Sequence, residues 1–467
     1  MTVTDCVARN GNMQLKKLTA ALCLLGLPFT AFGAALDRSG QSIAGFLQPD
    51  NYFEAGISIL DPTVSGRDIS GNRTGDMAGD YYFPHAVLKF QPTEHLSVGL
   101  IYDQPFGADA EYKGQNNFVS TTSDLILPAT SLTNNLPVVT GTPNAAGPGG
   151  IPLQVNPATG QPLAIALNNA TTGGTSVEVM TQNLNFLVGY QPNQNWNLYG
   201  GAVYQTLKAD VQLRGNAYSL FNGYALDVPE DSAVGWLAGI AYQIPEIALK
   251  ASLTYRSEIE HEFTARENMP LIPAMGQLLV GQRKLTQQQV AALTTPGQSK
   301  VTTPQSVNLD FQTGIMADTV AFANVRWVNW EDFYMRPYQF GKLSQLAGTL
   351  LPSLGKPNGF NLVDYSKDQW SANLGVGRKM TDKWAGNVSV GWDSGAGNPV
   401  TTLGPIEGFW NLGLGLQYSP TPKSFISGGV KYLWLGDAKA QTGAHSAAGQ
   451  FSDNDALAYG LRIGHRF

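Results

Sequence analysis

The sequence predicts an all-β fold, a transmembrane antiparallel β-barrel of 14 strands, from its residue alternation, its loop lengths and its composition. In residues 409–439, aliphatic or aromatic side chains take every second position, and small or polar side chains take most of the others. Successive side chains of a strand point to opposite faces, and a strand between lipid and a wet lumen needs one apolar face. The apolar face of the first strand in this region carries Trp410, Leu412, Leu414, Leu416 and Tyr418.

The lengths of the connections support a barrel. The turns after the even-numbered strands are short, whereas the seven other connections are long, as in outer-membrane barrels with short periplasmic turns. An even number of strands also lets the barrel close with both chain ends on one side. The predicted strands span residues 52–66, 81–91, 95–107, 175–190, 195–214, 230–243, 247–266, 300–315, 319–336, 365–379, 383–394, 407–418, 423–437 and 455–467.

The composition excludes several other classes of protein. A helical membrane protein needs runs of about 20 apolar residues, and none follows residue 35. An aromatic content of 10% argues against a disordered chain. The 29 basic and 35 acidic residues give no sign of nucleic-acid binding. Tryptophans near the strand ends fit girdles at the two membrane interfaces.

Residues 1–35 are predicted to be a signal peptide, with residues 1–12 as an upstream extension before Met13. Lys16 and Lys17 precede the apolar residues 18–32, and small residues follow, which is the pattern of a secretory signal. The only cysteines, Cys6 and Cys23, fall inside this segment. We therefore expect a mature protein without thiols, located in the outer membrane of a Gram-negative bacterium.

Residues 36–51 are predicted to form a short plug before the barrel, which spans residues 52–467. This segment precedes the first strand, so its place is the lumen or the periplasm. Ile43 and Phe46 are its expected apolar contacts.

The third predicted strand contains Gln104, Pro105, Phe106 and Gly107 near its outer end. Proline has no N–H for the ladder and is confined to edges, strand starts and bulges. The pattern predicts either a local break in pairing with a neighbouring strand or the end of the strand.

Two outer loops contain more apolar residues than a loop in water needs. Thr286 and Gln289 form a capping-box pattern that predicts a short helix in residues 268–300. The loop of residues 108–174 has apolar islands that favour packing over the barrel mouth. These loops either pack on each other or form a ligand groove. The apolar residues before the short helix are Leu271, Ile272, Met275, Leu278, Leu279 and Val280.

The sequence contains no catalytic or metal-binding pattern. Its five histidines are scattered, and no nucleophile motif is present. Glu258, Glu260 and Glu262 alternate on one face, and we expect them to point into the lumen or toward its mouth as a solvated surface. We expect no enzyme activity, cofactor or metal.

Several segments together resemble the FadL-type long-chain fatty acid transporters of the outer membrane. The most specific is Tyr255, Arg256, Ser257 and Glu258 in its strand context, and the others are residues 327–333, Phe409 with Trp410, and the terminal Phe467. The resemblance covers nearly the whole mature chain, and that family has 14-stranded barrels. It implies capture in an apolar groove between outer loops, transfer to an inner pocket, and sideways release at a kink in strand three, gated by an N-terminal plug.

Carried over to this sequence, the resemblance assigns the groove to residues 271–280 and the lateral gate to residues 104–107. It places Arg214 and Arg336 near the positions that meet a carboxylate head group, since arginine binds carboxylates bidentately. The chain departs from the family in its short N-terminal segment, which lacks the usual Asn-Pro-Ala run. Its loop after strand three is enlarged, and its loop after strand five is short.

The sequence therefore predicts passive uptake of a hydrophobic ligand, with a long-chain fatty acid as the first choice. Uptake of aromatic hydrocarbons and a general porin for hydrophilic solutes are the alternatives, and an outer-membrane lipolytic enzyme ranks below them. We expect a monomer that contacts outer-membrane lipids, and a last strand, ending at Phe467, that the barrel-assembly machinery recognises.

Overall fold

The computed structural model is a closed antiparallel β-barrel of 14 strands, which confirms the predicted fold class. The structure describes residues 35–121, 125–128, 153–155, 162–166, 172–270, 272, 276, 279–280, 283, 285–350 and 352–467. The barrel strands are β1 (Tyr52–Thr63), β2 (Tyr81–Thr93), β3 (Leu96–Asp103), β4 (Ser176–Tyr190), β5 (Trp196–Gln212), β6 (Ala225–Ile244), β7 (Leu249–Arg256), β8 (Ser306–Met316), β9 (Thr319–Val328), β10 (Gln369–Lys379), β11 (Trp384–Asp393), β12 (Phe409–Thr421), β13 (Ser424–Leu435) and β14 (Asp455–Arg466).

Each strand pairs with the next, and β14 pairs with β1 to close the barrel. Two short strands, Gly107–Glu111 and Arg266–Asn268, extend the sheet on its outer side. The other short strands are Gly66–Asp68, Val119–Ser120, Leu125–Pro128, Leu153–Val155, Pro162–Ala166, Gly173–Gly174, Ile259–Thr264, Gln298–Thr303, Tyr334–Met335, Val363–Asp364, Val400–Thr401, Ala438–Gln441 and Gly449–Phe451.

The helices are few and lie in the outer loops and one short turn. Helix α1 (Gln287–Thr294) begins with the predicted capping box, in which the backbone N–H of Gln289 donates to the side chain of Thr286. Helix α2 (Tyr338–Leu350) lies between β9 and β10. Three 3₁₀ turns span Asn216–Phe221, Pro245–Ile247 and Pro352–Leu354. In the part of the chain that the structure describes, no helix is long and apolar enough to cross a membrane.

The barrel wall has the predicted two faces. On β12, Trp410 and Leu414 are exposed on the outside, whereas Asn411 and Gln417 are buried in the lumen. On β13, Trp434 is likewise exposed on the outside. The apolar face is therefore the lipid face, because a strand in a bilayer turns its apolar side chains outward.

Strands β7 and β8 are shorter than their predicted spans of 247–266 and 300–315. Strand β7 ends at Arg256 and β8 begins at Ser306, while residues 259–264 and 298–303 pair as a separate outer hairpin. Pro304 lies at the break and has no N–H for the ladder.

The predicted direction of the three acids on this hairpin is wrong. Glu258, Glu260 and Glu262 are exposed on the outer face, and Lys300 pairs with both Glu260 and Glu262. The buried face of the same strand carries Ile259, His261 and Phe263. A period of two separates the faces of a strand but does not say which one turns inward.

Most tryptophans follow the girdle interpretation, and Trp330 does not. Seven of the nine are exposed on the barrel surface. Trp330 is completely buried above the lumen, where its ring contacts Phe106 at a centroid distance of 5.6 Å.

An aromatic core closes the space above the barrel. Tyr218 donates or accepts a hydrogen bond with Thr402 Oγ1 at 2.8 Å, and Tyr112 donates to the Thr402 carbonyl oxygen at 2.7 Å. Burial raises the pKa of Tyr218 to about 12, because it disfavours the charged form of the phenol. We call this core the aromatic cap; its buried rings are Tyr112, Phe118, Tyr218, Phe221, Tyr224, Phe340, Phe360 and Phe451.

A charge on the lipid face is expected to destabilise the barrel more than the same charge in the lumen. Leu414→Arg should lower the free energy of unfolding by about 2–4 kcal/mol, because the guanidinium would face hydrocarbon near the bilayer midplane. The matched control is Asn387→Arg on β11, whose side chain lines a polar lumen cavity. Denaturant unfolding in lipid bilayers measures both changes, and equal losses would contradict the assignment of the two faces.

Candidate functional site

The N-terminal segment lies inside the barrel. Ile43 and Phe46, the two residues expected to anchor it, are 1% and 0% exposed. Phe46 packs edge-on against Tyr199 at 6.1 Å and lies over Gly99. A Cβ at Gly99 would come within 2.8 Å of the Phe46 ring, so glycine is required there for the segment to fit.

A buried ion pair attaches this segment to the barrel wall. Arg326 on β9 donates from Nε to Asp37 Oδ2 at 2.7 Å, and the two side chains are 1% and 0% exposed. Arg326 also donates to Asn308 Oδ1 at 2.6 Å and to Gln41 Oε1 at 3.0 Å. The Arg326 side chain thus links the plug to its own strand, β9, and to the neighbouring strand β8.

Other polar side chains extend this arrangement across the lumen. Arg256 on β7 donates to the Gln41 carbonyl oxygen at 3.0 Å and to Asn185 Oδ1 at 2.8 Å. Asn185 in turn donates to Asp103, which also accepts a hydrogen bond from Ser39. We call this set the polar layer; it comprises Asp37, Ser39, Gln41, Asp103, Asn185, Arg256, Asn308 and Arg326.

Strand three is interrupted at residues 104–106 and then resumes. Asp103 pairs with Asn183 and Gly107 with Met180 of β4. The three residues 104–106 therefore lie opposite only the two residues 181–182. This is a bulge of one extra residue. The plug occupies the inner side of the bulge, because Arg38 N–H donates to the Pro105 carbonyl at 2.7 Å and Gly107 N–H to the Leu36 carbonyl at 2.9 Å.

The interruption leaves an opening between β2 and β3. The ladder runs up to Ala86 opposite Tyr102, and a bridge between Ala78 and Ala110 continues it in the same register above. Between these pairs, residues 80–85 make no backbone hydrogen bond to residues 103–108. We call this opening the first window.

An apolar cavity of about 140 Å³ lies above the polar layer and borders the first window at Tyr81 and Phe106. Its only charged lining residues, among those the structure describes, are Arg38 and Asp109. Trp330 also lines it, held by a hydrogen bond from its Nε1 to Gln369 Oε1 at 2.6 Å. We call this space the upper cavity.

A second cavity of about 170 Å³ lies beside the plug, and many of its lining residues are polar or charged. It borders the first window at Pro84 and Gln104, and Arg38 lines both cavities. We call it the lower cavity; its charged or titratable lining residues are Arg38, Glu54, His85, Asp103, Lys250, Asp310, Lys431 and Arg462.

The predicted groove residues that the structure describes, Ile272, Leu279 and Val280, do not line either cavity. Leu271, Met275 and Leu278 fall outside the described residues. Ile272 and Leu279 are buried, and Ile272 joins the same hydrophobic core as the aromatic cap. Val280 is half-buried. Their role as a groove stays a prediction.

Arg214 and Arg336 also lie outside the lining of both cavities. Arg214 donates to the carbonyl oxygens of Leu213 and Tyr224, and burial lowers its pKa. Arg336 donates to the Asn358 carbonyl beside α2. Both hold loop backbone in this structure, and a carboxylate-binding role for them stays a prediction.

Sequence reasoning missed four residues that shape the cavities: Asp37, Arg38, Arg326 and Trp330. The first two were visible as charges in a segment predicted to plug the lumen. Arg326 falls in a predicted strand at a position where a lumen charge is expected, but its partner lies 289 residues away. Trp330 was assigned to the girdle on its residue type.

The ion pair of Asp37 with Arg326 is expected to hold the plug closed. Asp37→Asn leaves Arg326 buried without its counter-ion, a change that costs about 3–5 kcal/mol in comparable pairs. The plug should then leave the lumen more often, and ion conductance in planar bilayers should rise. Asp61→Asn, at an exposed position on β1, is the control. Unchanged conductance in the Asp37 variant would show that the ion pair does not hold the plug.

The barrel resembles solved outer-membrane channels along nearly its whole length. A Pseudomonas aeruginosa FadL homologue matches with a TM-score of 0.62 and 13% identity over 96% of this chain and 98% of that one. The Pseudomonas putida toluene transporter TodX matches with a TM-score of 0.54 and 10% identity over 97% and 98% of the two chains. The Ralstonia pickettii toluene transporter TbuX matches with a TM-score of 0.52 and 10% identity over 95% and 97%. At these identities the likeness shows the fold.

No curated protein matches the sequence. The sequence model of the family described as outer membrane protein transport protein (OMPP1/FadL/TodX) matches residues 161–467. Its match confirms the resemblance inferred from the residues around Arg256. The chain therefore belongs to the OMPP1/FadL/TodX family, whose members are outer-membrane β-barrels that transport hydrophobic compounds.

Proposed function

We propose that the protein takes up a compact, uncharged hydrophobic compound by passive diffusion. The compound binds in the upper cavity and leaves sideways through the first window into the bilayer. The observation that carries this proposal is the contact between an apolar cavity and an opening in the barrel wall, which share Tyr81 and Phe106.

The size and polarity of the upper cavity favour a ligand about as large as one aromatic ring. An apolar protein cavity of roughly 150 Å³ stays dry and binds benzene, and the upper cavity measures about 140 Å³. Trp330 and Phe333 supply ring faces and edges on its wall, and aromatic ligands pack well in such arrangements. These features support the aromatic-hydrocarbon alternative that the sequence left open.

The polar layer makes a straight path through the lumen unfavourable for such a ligand. To move downward, the ligand would have to separate Asp37 from Arg326 and displace the hydrogen bonds of Arg256. Breaking a buried pair costs several kcal/mol, and an apolar molecule returns none of the lost hydrogen bonds. Sideways movement leads instead to hydrocarbon, where the ligand is more soluble.

A long-chain fatty acid is the second candidate, and the position of Arg38 favours it. This guanidinium lines both cavities and lies 5.0 Å from the Tyr81 ring centroid beside the first window. An arginine at that point suits a carboxylate head group while a chain fills the upper cavity. The similar solved structures include both a FadL homologue and toluene transporters, in keeping with either ligand class.

Deleting Pro105 tests sideways release. The deletion removes the one extra residue, so Gln104 and Phe106 fall opposite Gln182 and Thr181, and β3 pairs with β4 without interruption from Leu96 to Glu111. Because a bulge bends its strand, the straightened strand can then extend its ladder with β2 beyond Ala86 and across the first window. We expect uptake of labelled toluene by cells to fall to the level without the protein. Pro105→Ala is the matched control, because it keeps the extra residue and with it the bulge. Assembly of both variants is checked by the mobility of the unheated barrel on a gel.

Uptake that persists in a correctly assembled deletion variant would rule out release at this window. Loss of uptake in both variants would assign the effect to proline itself and not to the bulge.

Trp330 offers a direct measurement of the ligand class. Because its ring lines the upper cavity, toluene should change the tryptophan fluorescence of the purified protein, and Trp330→Phe should abolish that change. Oleate serves as the competing probe. A saturable response to oleate that toluene does not compete with would favour the fatty acid, whereas no response to either would contradict the proposed binding cavity.

A further inference from the structure

A second opening in the barrel wall lies between β6 and β7. The ladder runs up to Leu237 opposite Arg256, and Asp227 pairs with Arg266 in the same register above. Only the lower edge has a backbone contact beyond this ladder, where Ser257 N–H donates to the Trp236 carbonyl at 2.9 Å. Among the described residues, 228–235 make no backbone hydrogen bond to residues 258–265. We call this opening the second window.

The two windows have the same build. At each window, the backbone pairing between the two strands stops and later resumes in the same register. Neither window therefore results from a shift of one strand along the other. Each also borders a strand with a proline-containing bulge against its other neighbour. In β6, Pro229 and Glu230 lie opposite the single residue Lys208 of β5, which makes a bulge of one extra residue. The bulge that contains Pro105 is its counterpart at the first window. Strands β3 to β6 therefore form a panel with an opening on either side.

Side chains alone close the second window. His261 Nδ1 lies 2.9 Å from Asp231 Oδ2 across the opening, and Gly235 lies against Ile259. Behind His261, its Nε2 lies 3.1 Å from Gln205 Oε1, which accepts a hydrogen bond from Thr303 at 2.7 Å.

Thr303 lines the upper cavity, as do its neighbours Val301 and Pro304. The side chains of His261, Gln205 and Thr303 therefore form a hydrogen-bonded row from Asp231 to the lining of the upper cavity.

The surroundings of the two windows differ in polarity. Tyr82 and Pro84 are exposed at the first window, with Tyr82 at 57%, and an aromatic ring there suits contact with lipid. The second window is framed by exposed Glu230, Glu258 and Glu260, and also by exposed Val234 and Trp236 toward its lower edge. Carboxylates are costly in hydrocarbon and favourable in the hydrated region outside it. The carboxylates of the second window thus suit contact with the hydrated outer region, and Val234 and Trp236 suit contact with lipid at its lower edge.

The aromatic cap makes direct entry from above difficult. Its rings pack at short distances, such as 4.5 Å between the centroids of Phe221 and Phe340 and of Tyr112 and Phe118. Entry from above would have to separate several buried rings, each of which contributes to the stability of the core. Entry at the second window has to displace the hydrogen-bonded side chains of Asp231, His261, Gln205 and Thr303.

We propose that the second window is the entrance through which the hydrophobic compound reaches the upper cavity from the outer, hydrated side. This inference rests on the proposed function, and it assigns entry and exit to opposite edges of the β3–β6 panel. His261 and Asp231 form the gate, and Gln205 and Thr303 line the passage behind it.

A thiol block tests the entrance. The described residues contain no cysteine, so Asp231→Cys, at a position that is 25% exposed, introduces a single thiol at the mouth of the window. A bulky, membrane-impermeant methanethiosulfonate reagent is applied to intact cells, and uptake of labelled toluene is compared before and after modification. Glu258→Cys places the thiol on the opposite edge, in case the first variant does not assemble. Lys439→Cys, exposed on an outer strand far from the window, is the control.

We expect modification at Asp231→Cys or Glu258→Cys to lower uptake several-fold, dithiothreitol to restore it, and modification at Lys439→Cys to have no effect. Uptake that continues in fully modified Asp231→Cys and Glu258→Cys cells would overturn the entrance, and so would failure of the reagent to reach either thiol. If the unsubstituted protein takes up no toluene, the proposed function has failed. If it does so and only the Pro105 deletion stops uptake, the entrance alone has failed.

Discussion

The buried ion pair between Asp37 and Arg326 is the interaction on which the rest of the lumen depends. Two fully buried charges are tolerable only when they face each other and their remaining hydrogen-bonding groups are satisfied, and Gln41 and Asn308 supply those partners. The pair fixes the neighbouring plug residues against the bulge of strand three. The plug held by this pair separates an apolar upper cavity from a lower cavity with many charged lining residues.

Membrane barrels rarely leave backbone groups unpaired, because lipid offers no hydrogen bonds. The two windows show how this chain reduces that cost. At the first window, plug residues Leu36 and Arg38 take up backbone groups of the bulge. At the second window, the Ser257 hydroxyl accepts a hydrogen bond from the Trp236 N–H at the lower edge, and exposed acidic side chains frame the rest. Both windows thus lie where plug residues or side chains replace some of the missing backbone hydrogen bonds.

Alternation predicted the 14 strands well because each turns one face to lipid, and lipid contact imposes a strict period of two. The same pattern continues through Ser257 and Glu258, where pairing is lost, since alternation reports the faces of a strand and not its partners. Predicted β7 therefore ran past its true end at Arg256. Asp37 and Trp330 were missed for a related reason: their roles come from contacts with Arg326 and Phe106, which the order of residues does not reveal.

The separation of entry from exit bears on how passive transport gains a direction. A hydrophobic compound gains free energy in moving from water to the upper cavity, and again from the cavity to the bilayer, if the cavity binds it less well than hydrocarbon does. A small cavity with Arg38 and Asp109 at its wall satisfies that order, because these charges limit its affinity for an apolar molecule. The proposed entrance among carboxylates then lies beside water, from which the compound comes. The proposed exit beside Tyr82 lies beside the bilayer, into which the compound leaves.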